Sequence, residues 1–331
     1  MHAVKSFLRK RTALRAIRLR GQSVGEFVLL IALVSLVIVF AGPQVSQGIH
    51  NQFGIVTNTL KAGNRGGTTA GGGTPGDSGG SGGGVPDQEQ IKYLESMKSV
   101  TEKDPRNWTL ADQQLAAEDI AKRGTASVAF PKAREAMDAG TEFSMKLTNG
   151  NTLTYRIIGI NHDDLTDGSG KAGLTFEATN NALVHQRLNA TNTNVGGWEK
   201  SELRGRLNSG DLWSLLPSEL QSKVKSVTKM TDNKGGGSGG NTPSATTDKV
   251  FLLSTTEVYG DLQSDGTQYE YYKTKGVSTS SHSGAAASDS YRWTRSVSLT
   301  FFTQFRCIDR YGTWSSSTAA DTYYVFPAWC F

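Results

Sequence analysis

Few residues of this 331-residue chain are spaced so that they could act together chemically. Asp163, Asp164 and Asp167 precede Gly168 and could offer oxygen ligands to calcium. Their spacing is not that of an EF-hand loop, and Asp-Gly turns also arise for backbone reasons alone. The only cysteines are Cys307 and Cys330. In an exported domain this close, even pair would form one disulfide across a loop of about two dozen residues, worth on the order of 3 kcal/mol in the chain-entropy model. Two buried free thiols are the alternative reading. His162, His185 and His282 have no partner at ligand spacing and no CxxC occurs, so neither a metal nor another cofactor is expected. With no Ser-His-Asp motif, phosphate loop or zinc signature, the chain is not expected to be an enzyme. Tyr311, Trp314, Tyr323 and Tyr324 lie in a Ser/Thr-rich stretch. Aromatic residues on loops grip carbohydrate or protein, so these four are the candidate ligand contacts, with an ordinary exposed hairpin as the alternative. Trp198 and Trp293 are expected in the core, and Arg204 and Arg295 in structural hydrogen bonds.

The elements that must hold these residues fall after residue 87. Gln88–Lys103 and Leu110–Arg123 read as helices separated by Pro105. Thr109 is a suitable N-cap for the second, Asp112 stands in a capping-box position, and Gly124 follows its end. Residues 141–147 and 152–158 read as strands around Asn149-Gly150, the strongest short-range hairpin signal. Trp198–Leu207 and Pro217–Lys225 read as short helices. Lys234–Thr247 reads as a Gly/Ser/Thr loop, and Lys249–Leu253 as a short buried strand. The last forty residues suggest short strands and exposed loops. The sum is an α+β domain over residues 88–331, large enough to bury its own core.

The first 87 residues are built differently. The chain carries 35 Lys and Arg against 30 Asp and Glu, yet seven of those cations lie in residues 1–21, which hold no acid. Without that leader the chain is slightly acidic. The positive charge therefore concerns membrane topology, and no nucleic-acid partner is expected because no basic stripe interleaved with aromatics occurs. From Phe27 to Gly42 runs an apolar stretch of about 16 residues, roughly 24 Å as a helix and short of a bilayer core of about 30 Å. Val45, Ile49, Phe53, Val56 and Leu60 continue it at helical spacing. Pro43 should kink that helix. Residues 63–87 are nearly half glycine and read as a flexible tether.

Gly21, Gln22, Glu26 and Phe27 stand where the basic leader meets the apolar run. This arrangement resembles the type IV prepilins, most closely the Flp (Tad) subclass. The resemblance implies peptidase cleavage after Gly21, and Glu26 paired with the new amino terminus at Gln22 of a neighbouring subunit. An ordinary signal peptide, cut near Ala41-Gly42, competes with it; against that stands Glu26, an acid that is costly at the edge of an apolar span unless paired. The organisation expected is a leader (1–21), a pilin-type transmembrane and bundle helix (22–62), a Gly-rich linker (63–87) and an extracellular domain (88–331).

A second resemblance covers most of residues 110–331. It rests on Gly159–Phe176, Gly197-Trp-Glu-Lys-Ser-Glu-Leu-Arg204, Thr247-Asp-Lys-Val-Phe-Leu-Leu-Ser254, Tyr291-Arg-Trp-Thr-Arg-Ser296 and Phe326-Pro-Ala-Trp-Cys330. These resemble a domain of unknown function found in surface and secreted proteins of anaerobic, mostly Gram-positive bacteria. Its last motifs resemble the end of the C-type lectin-like fold shared with formylglycine-generating enzymes. Thr294, Val325-Phe326-Pro327 and Asp309-Arg-Tyr-Gly312 depart from the pattern. Together the resemblances imply a minor or tip pilin-like subunit. It would start in the cytoplasmic membrane, amino end inside, and finish on an extracellular pilus, where its domain meets a host glycan or protein. The alternative is a membrane-anchored surface protein that never polymerises.

Overall fold

A computed structural model describes residues 88–237, 243–281 and 284–331. The leader, the expected 22–62 helix with Gly21, Gln22, Glu26 and Phe27, the tether and His282 lie outside the described residues. Among those described, no helix is long and apolar enough to cross a membrane. The chain divides into residues 1–91 and 92–331. The described part of the first unit, residues 88–91, is the opening turn of helix α1 (Gln88–Ser96).

The second unit mixes helices with antiparallel sheet. Where one helix was expected over Gln88–Lys103, α1 is followed by a separate α2 (Lys98–Glu102). Helix α3 (Leu110–Arg123) has the expected capping box: Thr109 and Asp112 each accept from the other's backbone N–H, and Gly124 caps the other end. Helix α4 (Phe130–Ala139) ends on Gly140, which is left-handed at φ +67°. Strands β1 (Glu142–Lys146) and β2 (Thr152–Ile160) form the expected hairpin.

After β3 (Leu174–Ala178), the stretch expected as one helix from Trp198 is two, α5 (Gly197–Lys200) and α6 (Glu202–Asn208). Ser201 is extended between them, and its side chain caps α6 by accepting from the N–H of Arg204. Helices α7 (Asp211–Leu215) and α8 (Ser218–Lys223) follow, the latter behind Pro217. Strand β4 (Val227–Asp232) pairs with β5 (Pro243–Asp248). The second half of the expected loop Lys234–Thr247 is therefore strand. Its polar composition hid it, because only Thr246 and Asp248 of β5 are buried. The remaining elements are β6 (Val250–Phe251), α9 (Thr255–Tyr259), α10 (Glu270–Thr274), β7 (Arg292–Val297), β8 (Gln304–Ile308), β9 (Trp314–Thr318) and β10 (Ala328–Cys330).

The largest sheet has the order β1-β2-β3-β10-β6, and β7-β8-β9 form a separate three-stranded sheet. In the large sheet the side chains alternate between two buried faces. One face carries Phe143, Tyr155, Phe176 and Trp329, whose rings lie 5.0–6.2 Å apart. Helix α3 covers it, with the Tyr155 hydroxyl donating to Gln113 Oε1. The approach is close: a Cβ at Gly173 would sit 1.9 Å from the Ala117 carbonyl oxygen. The other face carries Arg156, Thr175, Glu177, Phe251 and Cys330, aligned through the pairs Arg156↔Glu177, Thr175↔Cys330 and Ala328↔Phe251. Against it lie the ionic groups described next.

Candidate functional site

The polar face of the large sheet collects charges that sequence separation keeps apart. A bulge between Ile157 and Gly159 shifts the β2–β3 register. The chain then leaves β2 and places Asp163 above Thr175 and Cys330. Thr175 donates to Asp163 Oδ2 at 2.6 Å, and the Cys330 thiol lies 3.5 Å from the same oxygen. Lys229 of β4 brings its Nζ to 2.6 Å from Asp163 Oδ1 and 2.5 Å from Glu257 Oε1. The Tyr269 hydroxyl lies 3.0 and 2.9 Å from the two Asp163 oxygens and accepts from Lys229 Nζ at 3.0 Å. Phe251 puts its ring face 4.3 Å from the ammonium. Arg295 closes the set with both guanidinium ends on the Glu257 carboxylate, while also donating to the carbonyls of Leu252, Met230 and Asp265.

The four charged side chains of this group are all buried. Burial alone would neutralise them. It opposes the Asp163 charge, but Lys229 outweighs it and holds that carboxyl well below the usual range. Burial likewise opposes the Lys229 charge, yet Asp163 and Glu257 keep the ammonium above its ordinary value. Glu257 is held low against burial by Arg295 and Lys229. Burial, and then the Asp163 carboxylate, push the Cys330 thiol well above its normal value.

Beside this centre, His162 stacks on Tyr269 at 4.1 Å and its Nδ1 lies 3.4 Å from Glu270. Gly159 makes room for that stack, since a Cβ there would be 2.8 Å from the Tyr269 ring. Further along the same face, Arg292 donates to Glu177 at 2.8 Å and Tyr272 donates to it at 2.5 Å. Trp198 and Arg204 converge on another buried acid, Asp248, at 3.2 and 2.6 Å. Trp198 and Trp293 are buried as expected, and Arg204 and Arg295 make structural hydrogen bonds.

The acidic turn does not gather into a cation site. Asp163 turns inward to Lys229, Asp164 pairs with Lys171 at 2.8 Å, and Asp167 accepts from the backbone and hydroxyl of Ser169. Among the described residues no group of three or more His, Cys, Asp and Glu could hold a metal ion. The expected disulfide is also corrected: Cys307 and Cys330 are free and buried. They lie in different sheets. Cys307 is paired across strands with Trp293 and Ser315, whereas Cys330 faces Thr175 and Asp163. Burial pushes the Cys307 thiol up to about 12.

The four expected ligand contacts do not form one cluster: Tyr323 and Tyr324 are chain neighbours whose rings join different partners. Tyr323 stacks on Tyr291 at 5.1 Å and touches Trp293 at 4.8 Å; Tyr324 meets His185 at 4.8 Å and Phe326 at 6.1 Å. Bridges Gln186↔Tyr323 and Arg292↔Tyr324 hold this backbone segment in place. Trp314 instead lies under Arg306, and Tyr311 lies at the tip of the β8–β9 turn under Arg310. That turn is fixed by Asp309, which accepts from the N–H of Tyr311 and Thr313, and by the Tyr259 hydroxyl on the Gly312 carbonyl at 2.6 Å. Next to His185 in the chain, Val184 is more than half exposed and has φ +56°, a strained conformation for a β-branched residue. Sequence reading missed Val184, His185 and Tyr291, which no motif marks. It also missed an exposed apolar group of Val195, Phe301 and Phe302. Asn194 ties that group together by donating to the carbonyls of Ser298, Phe301 and Gln304. A groove of about 410 Å³ lies apart from all of these, lined by Tyr93, Leu115, Asp119 and Arg123 among others. Two of its charges are paired with each other, since Asp119 accepts from Arg123 as well as from Tyr93 and Ser127.

Residues 173–331 match DUF6273, described as a domain of unknown function. The match begins at the glycine that seats β3 against α3 and runs to the chain end. It includes the Trp198–Arg204, Asp248–Ser254 and Arg292–Ser296 segments, which meet in space through Asp248 and Arg295. Asp163 lies before the matched segment. Comparison with curated proteins and with solved structures gave no match.

Proposed function

We propose that this chain is a pilin-like subunit, minor or at the tip, of a Tad or type IV-like filament that displays its C-terminal domain for adhesion. The carrying observation is Glu26, a lone acid at the threshold of an apolar run, five residues after Gly21 and behind a leader that is purely basic. Such an acid is costly in a bilayer unless a partner neutralises it, and an amino terminus created at Gln22 in a neighbouring copy is such a partner. Prepilin peptidase, the membrane and other pilin subunits are then its partners in turn. The Gly-rich tether would let the domain hang clear of a thin bundle.

Two features of the domain support recognition over turnover. Its most closely grouped titratable side chains face one another in internal pairs, whereas Tyr291, stacked on half-buried Tyr323, and strained Val184 are exposed. A C-type lectin-like ancestry for the β7–β10 region belongs to this proposal, as does a glycan or protein ligand.

The test is the amino-terminal residue of the protein in sheared surface material, read by mass spectrometry. A terminus at Gln22 supports the proposal. A terminus beyond Ala41, or an uncut chain left with the membranes, overturns it in favour of a secreted or anchored surface protein. Glu26→Ala should abolish recovery in the sheared fraction; unchanged surface display would favour the anchored alternative.

A further inference from the structure

We propose that Lys229 and Asp163 become joined by an intramolecular isopeptide bond, with Glu257 as the base that relays the proton. The inference rests on the buried centre alone and is independent of the filament proposal. Three observations carry it. First, the nucleophile and the acyl group are already in contact, with Lys229 Nζ 2.6 Å from Asp163 Oδ1. Second, a carboxylate that is not the acyl group touches the same nitrogen: Glu257 Oε1 lies 2.5 Å away and is fixed by Arg295 and by the backbone N–H of Ser254. Third, Thr175 and Tyr269 both donate to Asp163 Oδ2, at 2.6 and 2.9 Å.

The step balances without any other reactant. Lys229 is an ammonium and Asp163 a carboxylate. One proton passes to Asp163 Oδ1, leaving an amine whose lone pair attacks Cγ. The new N–C bond forms, and Oδ2 takes the negative charge of the tetrahedral stage under the Thr175 and Tyr269 donors. Glu257 removes a second proton from nitrogen and returns it to Oδ1, and the Cγ–Oδ1 bond breaks to release water. Both protons of that water come from the ammonium, the third stays on the amide, and nothing is oxidised or reduced.

Two physical terms favour the amide here. Fixed partners in contact have effective molarities that reach about 10⁵–10⁸ M in well-oriented intramolecular reactions. The product also replaces two buried ions with a neutral group, relieving the desolvation cost of both. Against it stands the preference of the pair for its charged form, which makes the first proton transfer uphill. Asp163 is the acyl group and Glu257 the base because Asp163 is held by neutral donors, while Arg295 keeps Glu257 ionised.

The test is peptide mapping of the full chain as produced by its cells. Trypsin should give one branched species from residues 157–171 and 226–234, lacking one water and uncut after Lys229. Separate peptides with cleavage after Lys229 would overturn the proposal. So would a branch at Glu257, or a water loss confined to 157–171, which a ring at Asp167-Gly168 would produce. Asp163→Asn should give the same branch with loss of ammonia in place of water, an outcome that a structural ion pair would not produce. Glu257→Gln should slow bond formation by about 10²–10⁴-fold. Wild-type bond content in freshly made Glu257→Gln protein would remove Glu257 from the mechanism. Should that variant fail to fold, the wild-type map still decides.

Discussion

On one face of the five-stranded sheet, Phe143, Tyr155, Phe176 and Trp329 lie ring against ring beneath α3. On the other, Lys229, Asp163, Glu257 and Arg295 lie ion against ion beneath β4 and β7. The same strands supply both, because alternate residues of β3 and β10 point opposite ways. Rings are held by area and dispersion, which tolerate an exchange of shape. Ions in a dry interior are held by their partners and do not tolerate losing one. The ring face can therefore vary in composition within its volume, whereas the ionic face has to be changed as a set.

The largest effect should follow from leaving one ion alone. Arg295→Met keeps most of the side-chain length but leaves Glu257 buried without its guanidinium, and three backbone carbonyls lose a donor. A destabilisation of about 3–5 kcal/mol is expected, read as a shift in the denaturant midpoint. A cost below about 1 kcal/mol, the range of an exposed pair, would show that this cluster is no more than a surface-like network.

Acid should act through the same face. Glu257 is held below its ordinary value of 4.5 against burial, first by Arg295, whose charge does not depend on whether Lys229 is in the amide. A depressed folded-state value means that its contribution is complete above the unfolded value. It is lost as pH falls through the folded one, so Tm should drop progressively below about pH 4.5. Glu257→Gln should remove one proton from that dependence. The comparison is made in an Asp163→Asn background, where residue 163 titrates in neither protein, and Asp112, also held low, contributes to the slope in both. An unchanged slope in Glu257→Gln would mean that its carboxylate is not stabilised by folding.

The ring face should be more forgiving. Phe176→Leu is a hydrophobic replacement that loses modest volume, and its neighbours can partly close on it. Its expected cost is under about 1.5 kcal/mol, well below that of Arg295→Met. Equal costs for the two would erase the contrast between the faces.

How much of this was legible in the sequence follows from the same contrast. Local devices could be read. The Thr109–Asp112 box, Gly124 and the Asn149-Gly150 hairpin depend on neighbours a few residues away, and each formed where expected. Trp198 and Trp293 were placed in the core by size. The ionic face could not be assembled from spacing, because Asp163, Thr175, Lys229, Glu257, Tyr269, Arg295 and Cys330 meet only through the sheet. The acidic run around Asp163 suggested calcium because nothing local says that its first member turns inward to a lysine 66 residues away. The two cysteines suggested a bridge because their separation in sequence is short, while their strands belong to different sheets.

The smallest effect concerns how firmly the ring face is covered. Helix α3 is the lid over Tyr155 and Phe176, and Thr109 secures its first turn by accepting from the Asp112 N–H at 3.2 Å. Thr109→Ala leaves the Asp112 carboxylate paired with Lys103 at 2.6 Å and with the residue 109 N–H at 2.9 Å, so only half of the box is lost. The expected cost is about 1 kcal/mol. Because α3 touches only one face, the loss should be local. Hydrogen exchange should quicken at the amides of residues 111–113 and stay unchanged in β4 and β7. If exchange in β4 and β7 rose as much as in α3, the two faces would open as one unit, and their difference would be one of composition only.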